Sequence, residues 1–479
     1  MIAVMQGLQQ QGDVQLGKIL SQFLADQNVE NKVKLVLARD RDDELPAEID
    51  PKQLEAVLGE LITLIQRSEI FCRFIRAKVE SAVKEGQERP PADPSMGAVA
   101  VDVDPALISR LTSDIKQRVQ VLIGYYLPLE EHVLRVNIGK AVELNAAESA
   151  GSLTTTIVDD AFFVIQKSAR RAMSSINADC LCAVLNQIRA LLETEYLMIF
   201  KAQIEAGLGK GSLADLTGAL HSSLKASLYN KKADKPSTQN DLLIALNNAA
   251  VSKDFTEKLQ TDLTALTGKS FASAGNTDRE KISSCLAEFA SSAAQFDELI
   301  GEGLKQMCSA NVGGRVRSLV DAMLTADYSV SEEELGNLDG GSAFVVGLIA
   351  GLTKLTAEYQ RGLLKSNYDT LLVHITETVA GNLERVVLQV QFNQLGGMLY
   401  DKDLRVLMNY LSTITQWSLR TKFSRCSQMA TLLTLDKVAE VTDYYGKGNM
   451  TWRLTPAQVK ELLRCRVDLD PAAIAELVL

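Results

Sequence analysis

Proline is nearly missing from most of this chain. Of ten prolines in 479 residues, only Pro236 falls between Leu129 and Thr455. A proline inside a helix removes a hydrogen bond and clashes with the preceding turn, at about 3 kcal/mol. A long stretch that avoids it and holds few aromatics (5% of the chain) reads as helix after helix with aliphatic cores. The apolar spacing agrees. Leu54, Val57, Leu61, Ile65, Cys72, Ile75 and Val79 form one stripe. Leu372, Ile375, Val379, Leu383, Val386 and Val390 form a second, and Leu404, Leu407, Leu411, Ile414 and Trp417 a third. Steps of three and four place each set on one helical face, whereas strands need alternation. The expected fold is all-α: an elongated rod of consecutive antiparallel helical bundles.

Helix starts are expected where a capping oxygen precedes a first-turn proline: Asp50–Pro51, Asp104–Pro105 and Asp470–Pro471. "TDRE" (Thr277–Glu280) and "TPAQ" (Thr455–Gln458) have capping-box spacing. Three segments read as linkers: the proline-rich Lys84–Pro105, the polar Asn230–Asn240, and the acidic then glycine-rich Ser331–Ser342. The expected divisions are 1–205, with a disordered linker near 84–104, then a bundle at 206–365, then a C-terminal module at 366–479.

The net charge of −10 argues against nucleic acid, which needs a basic face. Seven cysteines without a Cys-x-x-Cys pair fit free thiols in a reducing compartment. The longest apolar run, near Ala343–Leu352, is too short to span a bilayer. No secretory signal is visible at the N-terminus, and a soluble cytosolic protein is expected.

Candidate chemistry is sparse, and neither cofactor nor metal is expected. Asp159 and Asp160 follow Thr154–Thr156 and suit the positive end of a helix. Catalysis by them would need a base, a metal ligand or a nucleophile, and the sequence offers none. Cys180 and Cys182 stand about 200° apart on a helix and suit buried structural thiols. His132, His221 and His374 show no metal spacing, and "LEEHVL" (Leu129–Leu134) reads as a solvated helix face. "GLGKGS" (Gly207–Ser212) fails as a phosphate loop, because Lys210 is followed by glycine. An enzyme is not expected. Arg425 stands out among Phe423, Cys426, Met429 and Leu432. It is either an exposed arginine lying along apolar neighbours, or a partly buried guanidinium paired with Glu440 or Asp443. In the second case Arg425→Ala should cost about 3–5 kcal/mol.

Several long strings are familiar: "LTTTIVDDAFFVIQKS" (from Leu153), "SSINADCLCAVLN" (from Ser174), "LERVVLQVQFNQLGGMLYDKDLR" (from Leu383), "KFSRCSQMATLLTLDKVAEVTDYYG" (from Lys422) and "TWRLTPAQVKELLRCRVDLDPAAIAEL" (from Thr451). They resemble the family of the fourth subunit of the conserved oligomeric Golgi complex, from about Val121 to the C-terminus and less closely before it. The resemblance implies a non-enzymatic vesicle tether on the cytosolic face of the Golgi membrane, acting in intra-Golgi retrograde transport, Golgi organisation and glycosylation homeostasis. It implies partners among the sister subunits, SNARE proteins, a Sec1/Munc18-type protein and Rab GTPases, with peripheral membrane association. Members of that family are longer and begin with coiled-coil helices, so this chain resembles a fragment. Gln458 stands where the resemblance leads one to expect Glu, which leaves only a neutral amide there for Arg425. The expected interaction residues are Arg425, Gln458, Glu440, Asp443, Trp452 and Arg453. The alternative is a subunit of another helical tether, such as exocyst.

Overall fold

The computed structural model describes residues 2–39, 51–88, 105–146, 151–210, 239–338, 340–444 and 452–479. They form helices α1 (Ile2–Asp26), α2 (Val29–Arg39), α3 (Pro51–Glu88), α4 (Pro105–Leu144), α5 (Ile157–Ser174), α6 (Ala178–Leu191), α7 (Leu197–Gly207), α8 (Gln239–Ser270), α9 (Asn276–Ala287), α10 (Phe289–Met307), α11 (Gly313–Asp321), α12 (Glu332–Asn337), α13 (Ala343–Gly362), α14 (Lys365–Val387), α15 (Gln394–Ile414), α16 (Ser424–Leu433), α17 (Val441–Tyr444), α18 (Pro456–Leu463) and α19 (Pro471–Glu476). The fold of the described residues is all-α, joined by short π and 3-10 turns. None of their helices is long and apolar enough to cross a membrane.

The chain divides into two compact units. The first holds the residues up to Gln203 together with Val251–Asp297. The second holds Ile204–Lys210, the start of α8 as far as Ala250, and Glu298–Leu479.

In the first unit the side-chain register fixes the helix directions. Lys167 of α5 reaches Glu55, and Asn177 just beyond it reaches Glu69, so α5 runs parallel to α3. Gln187 of α6 reaches Leu127 and Glu131, while Glu195 meets Arg135, so α6 runs parallel to α4. Thr156 bonds Ala146 and Arg171 bonds Glu130, which makes α4 and α5 antiparallel. These four helices are an up-down-up-down bundle. The first apolar stripe is its seam: Leu54, Val57, Leu61, Ile65, Cys72 and Val79 are buried, and only Ile75 is half-buried. "LEEHVL" departs from expectation. Glu130 is 0% exposed because Arg171 of α5 lies 2.7 Å from it, and a paired carboxylate can be buried.

In the second unit every member of the Leu372–Val390 stripe is buried. The third stripe stops early. Helix α15 ends at Ile414, where Thr415 turns extended (φ −114°, ψ 152°), so Ile414 and Trp417 are only half-buried. Three inter-helix connections meet through backbone bridges, Tyr328 to Phe392 and Phe392 to Arg466. Phe392 donates to Cys465 and accepts from Val467, both at 2.9 Å.

The helix starts divide. Asp470 and the Thr455–Gln458 box cap as expected. Helices α3 and α4 begin at Pro51 and Pro105, while Asp50 and Asp104 lie outside the described residues. Thr277 does not cap α9, because Gly275 enters the helix two residues earlier. Thr156 precedes α5 without a capping bond; its own backbone is already helical, and its hydroxyl accepts from Ala146 instead. The segment read as a linker at Ser331–Ser342 contains α12, started by a Ser331–Glu334 capping box. The other two linkers lie largely outside the described residues.

Candidate interaction site

The C-terminal module is organised around α16. Its buried face carries Cys426, Met429, Ala430, Leu432 and Leu433. The preceding loop is anchored by Leu419, whose carbonyl accepts from Lys422 and Phe423 at 3.0 and 3.1 Å. Gly397 of α15 passes so close to α16 that an added Cβ would lie 2.1 Å from the Leu433 oxygen.

Arg425 lies in the first turn of α16, between the two alternatives offered by the sequence. Its side chain is one-third exposed, and its Nε meets Glu384 Oε2 at 2.8 Å. The partner thus comes from α14, two helices earlier in the chain, and not from Glu440 or Asp443 further on. The first turn of α16 packs on α14, as the adjacent Lys422–Glu377 pair and the Cys426 contact with the Ala380 carbonyl also show. A second guanidinium bond from Arg425 reaches the Arg453 carbonyl at 2.7 Å.

Of the six expected residues, the structure brings Arg425 and Arg453 together. The Arg453 N–H donates to Gln428 Oε1 at 2.9 Å, so its backbone is held on both sides. Trp452 is a neighbour in sequence but donates its indole N–H to the Tyr444 carbonyl. Glu440 accepts from the Asp436 N–H, and Asp443 is exposed on α17. Gln458 is taken up by its own helix start, accepting from the Thr455 N–H at 3.1 Å.

Two polar centres escaped the sequence reading. Arg466 is 3% exposed. It donates to the Leu433 and Leu435 carbonyls at 2.6 and 2.9 Å, and grips Asp468 with two further bonds. Burial alone would raise the Asp468 carboxyl, but Arg466 and the Gln394 N–H outweigh it and hold it below the usual range. The second centre is Asp403, buried at 2% exposure. It accepts from Tyr328, from the Ser342 N–H and from the Ser342 hydroxyl at 2.7–2.8 Å. Desolvation raises its carboxyl despite these donors. The "RCRVD" string carried the only local hint of the first centre: an arginine two residues before an acid, amid apolar neighbours.

The thiols are structural in character. Burial pushes Cys180 and Cys426 up to about 12. Cys182 is half-buried, against the expectation of full burial, and it too is raised to about 12, by burial and then by Cys285 beside it.

Two family models match. One described as "COG4 transport protein, middle alpha-helical bundle" covers residues 1–204, and one described as "Conserved oligomeric Golgi complex subunit 4, C-terminal" covers 242–461. This chain belongs to the conserved oligomeric Golgi complex subunit 4 family. Relatives of that name include one from Mus musculus, 33% identical over 96% of this chain and 60% of its own length. The Homo sapiens relative is 31% identical over 98% of this chain and 61% of its own. The Arabidopsis thaliana relative is 32% identical over 90% and 54%. The chain therefore spans roughly three-fifths of the subunit 4 relatives it matches. Among solved structures, the C-terminal domain of the exocyst subunit Sec6p is similar at 12% identity and a TM-score of 0.49, over 75% of this chain and 90% of that one. The subunit 4 strings coincide with the packing just described: Leu383–Arg405 contains Glu384, Phe392, Gly397 and Asp403, and Thr451–Leu477 contains Arg466 and Asp468.

Proposed function

We propose that this chain is a non-catalytic part of a conserved oligomeric Golgi complex. In this reading it helps tether vesicles in intra-Golgi retrograde transport, and so supports SNARE-dependent docking, Golgi organisation and glycosylation. It works on the cytosolic face of the Golgi as a peripheral component. Its partners are the sister subunits first, then SNARE proteins, a Sec1/Munc18-type protein and Rab GTPases. The observation that carries this reading is the pair of family matches across residues 1–204 and 242–461.

A tether acts by presenting surfaces at fixed places. Helical bundles suit that task, because each buries its own apolar seam and leaves exposed faces for partner helices. The C-terminal module at 366–479, with Arg425 and Arg453 beside α16, is the first place to look. Tagged chain purified from cells is expected to bring down the sister subunits of the Golgi complex. Recovery of exocyst subunits alone, or of no tether subunit, overturns the reading.

A further inference from the structure

The chain is acidic overall, yet residues 404–435 contain Arg405, Arg420, Lys422 and Arg425 and no Asp or Glu. Three of these four cations are neutralised by carboxylates from outside the stretch. Asp401 meets Arg405, Glu377 meets Lys422 and Glu384 meets Arg425. Arg420 is the exception. It is exposed in the loop before α16 and lines a cavity of about 510 Å³. Arg453, from a distant part of the sequence, is exposed on the same cavity. No acidic residue lines it, and no described carboxylate pairs with either guanidinium.

The rest of the lining suits an anion. Thr421, Ser424, Ser427 and Thr431 line the cavity. The Ser424 and Thr431 hydroxyls donate to the Thr421 and Ser427 carbonyls, and apart from the two arginines the lining is uncharged and mostly polar. Helix α16 begins beside it with no side-chain cap on its first N–H groups, so the positive end of its dipole adds to the field. Both arginines are placed by their backbones, Arg420 next to the anchored Leu419 and Arg453 between its bonds to Gln428 and Arg425. Their heads remain free to donate.

We propose that this groove binds a phosphate ester between the guanidinium groups of Arg420 and Arg453. Phosphate fits better than carboxylate, because two planar forks and a helix start supply more donors than two oxygens accept. The cavity exceeds a lone phosphate and lies within the range of small-molecule sites, so the group is carried on a body of phosphorylated-polyol size. That chemistry is shared by a soluble inositol phosphate and a phosphoinositide headgroup. The assignment stands apart from the tethering proposal, since a chain that joined no complex would still carry the groove.

Calorimetric titration of the full chain with inositol hexakisphosphate tests it. Binding is expected, weakening with added salt. Arg420→Ala with Arg453→Ala should weaken it at least about tenfold, from lost charge-assisted hydrogen bonds. Arg405→Ala should leave it unchanged, and helical circular dichroism should match for all chains. If the double variant misfolds, Arg420→Glu alone should show the same loss. Flotation with phosphatidylcholine vesicles carrying a phosphatidylinositol phosphate separates the sources: recruitment that depends on Arg420 points to a lipid headgroup, and solution binding without recruitment to a free polyol phosphate. The site is overturned if the variants bind as tightly as the natural chain, if neither probe binds, or if a phosphoserine peptide binds and inositol hexakisphosphate does not.

Discussion

Arg466 grips Asp468 with two parallel hydrogen bonds, Nε to Oδ1 at 2.7 Å and Nη2 to Oδ2 at 3.0 Å. Its remaining nitrogen holds two carbonyls at and just after the C-terminal end of α16. One side chain thus ties the chain's last turns to α16. Arg425 makes a similar pair with Glu384, but its side chain is one-third exposed where the Arg466 side chain is 1% exposed. Asp468 is itself 37% exposed, so the ion pair contributes about 0–1 kcal/mol, whereas losing Arg466 leaves the buried Leu433 and Leu435 carbonyls unsatisfied at about 1–3 kcal/mol each. Arg466→Ala is therefore expected to destabilise the second unit by about 3 kcal/mol, and Arg425→Ala by about 1–2 kcal/mol including its bond to the Arg453 carbonyl. Urea unfolding of the two variants checks this ranking. Equal losses would show that Arg466 is less central than its burial implies.

The same pair gives the second unit an acid-sensitive element. The folded Asp468 carboxyl is held below its unfolded value of about 3.9. A depressed carboxyl contributes stability above the unfolded value and loses it as pH falls through the folded one. Asp403 has the opposite sign: raised by desolvation, it contributes below its unfolded value, and that contribution fades as pH rises through the folded one. Asp468→Asn should therefore flatten the loss of stability below about pH 4, and Asp403→Asn should not. Urea midpoints across the acid range decide between them.

The helices were legible because their cause is local. The stripe from Leu54 to Val79 and the one from Leu372 to Val390 announce buried faces by spacing alone, and Asp470 and Thr455 announce starts by the residues next to them. The polar centres were not, because their causes are distant. Arg466 sits in "LLRCRVDLD", which reads as an ordinary charged segment, and it is buried because Phe392 bridges to it from the other side of α15. Glu130 sits in a string that resembles a solvated face for the same reason, since its partner Arg171 lies on the next helix. For Arg425 the sequence leaves an exposed arginine and a pair with Glu440 or Asp443 both open; helix packing places Glu384 beside it, and no local pattern distinguishes that acid from Glu440.

Glu130 and Arg171 give a test in the first unit. Glu130 is fully buried and the Arg171 side chain is 14% exposed, with 2.7 Å between their charged groups. Glu130→Ala leaves a desolvated guanidinium and should cost about 3–5 kcal/mol. Glu130→Leu combined with Arg171→Met removes both charges while filling the space, and should cost far less. Thermal unfolding of single and double variants measures the difference. A double variant as unstable as the single one would mean that the pair supplies more than mutual neutralisation.

Gly397 and Arg466 act on the same carbonyl. An alanine Cβ at 397 would lie 2.1 Å from the Leu433 oxygen, a backbone atom that cannot rotate away, and that oxygen is the one Arg466 holds at 2.6 Å. Gly397→Ala must push α15 and α16 apart, at about 3 kcal/mol or more, and in doing so it pulls the carbonyl from the guanidinium. Its effect and that of Arg466→Ala should then overlap, because each removes what the other would have broken. The double variant is expected to be more stable than the sum of the single losses allows, by about 1 kcal/mol or more. Strict additivity in urea unfolding would show that the helix contact at Gly397 and the Arg466 latch are independent.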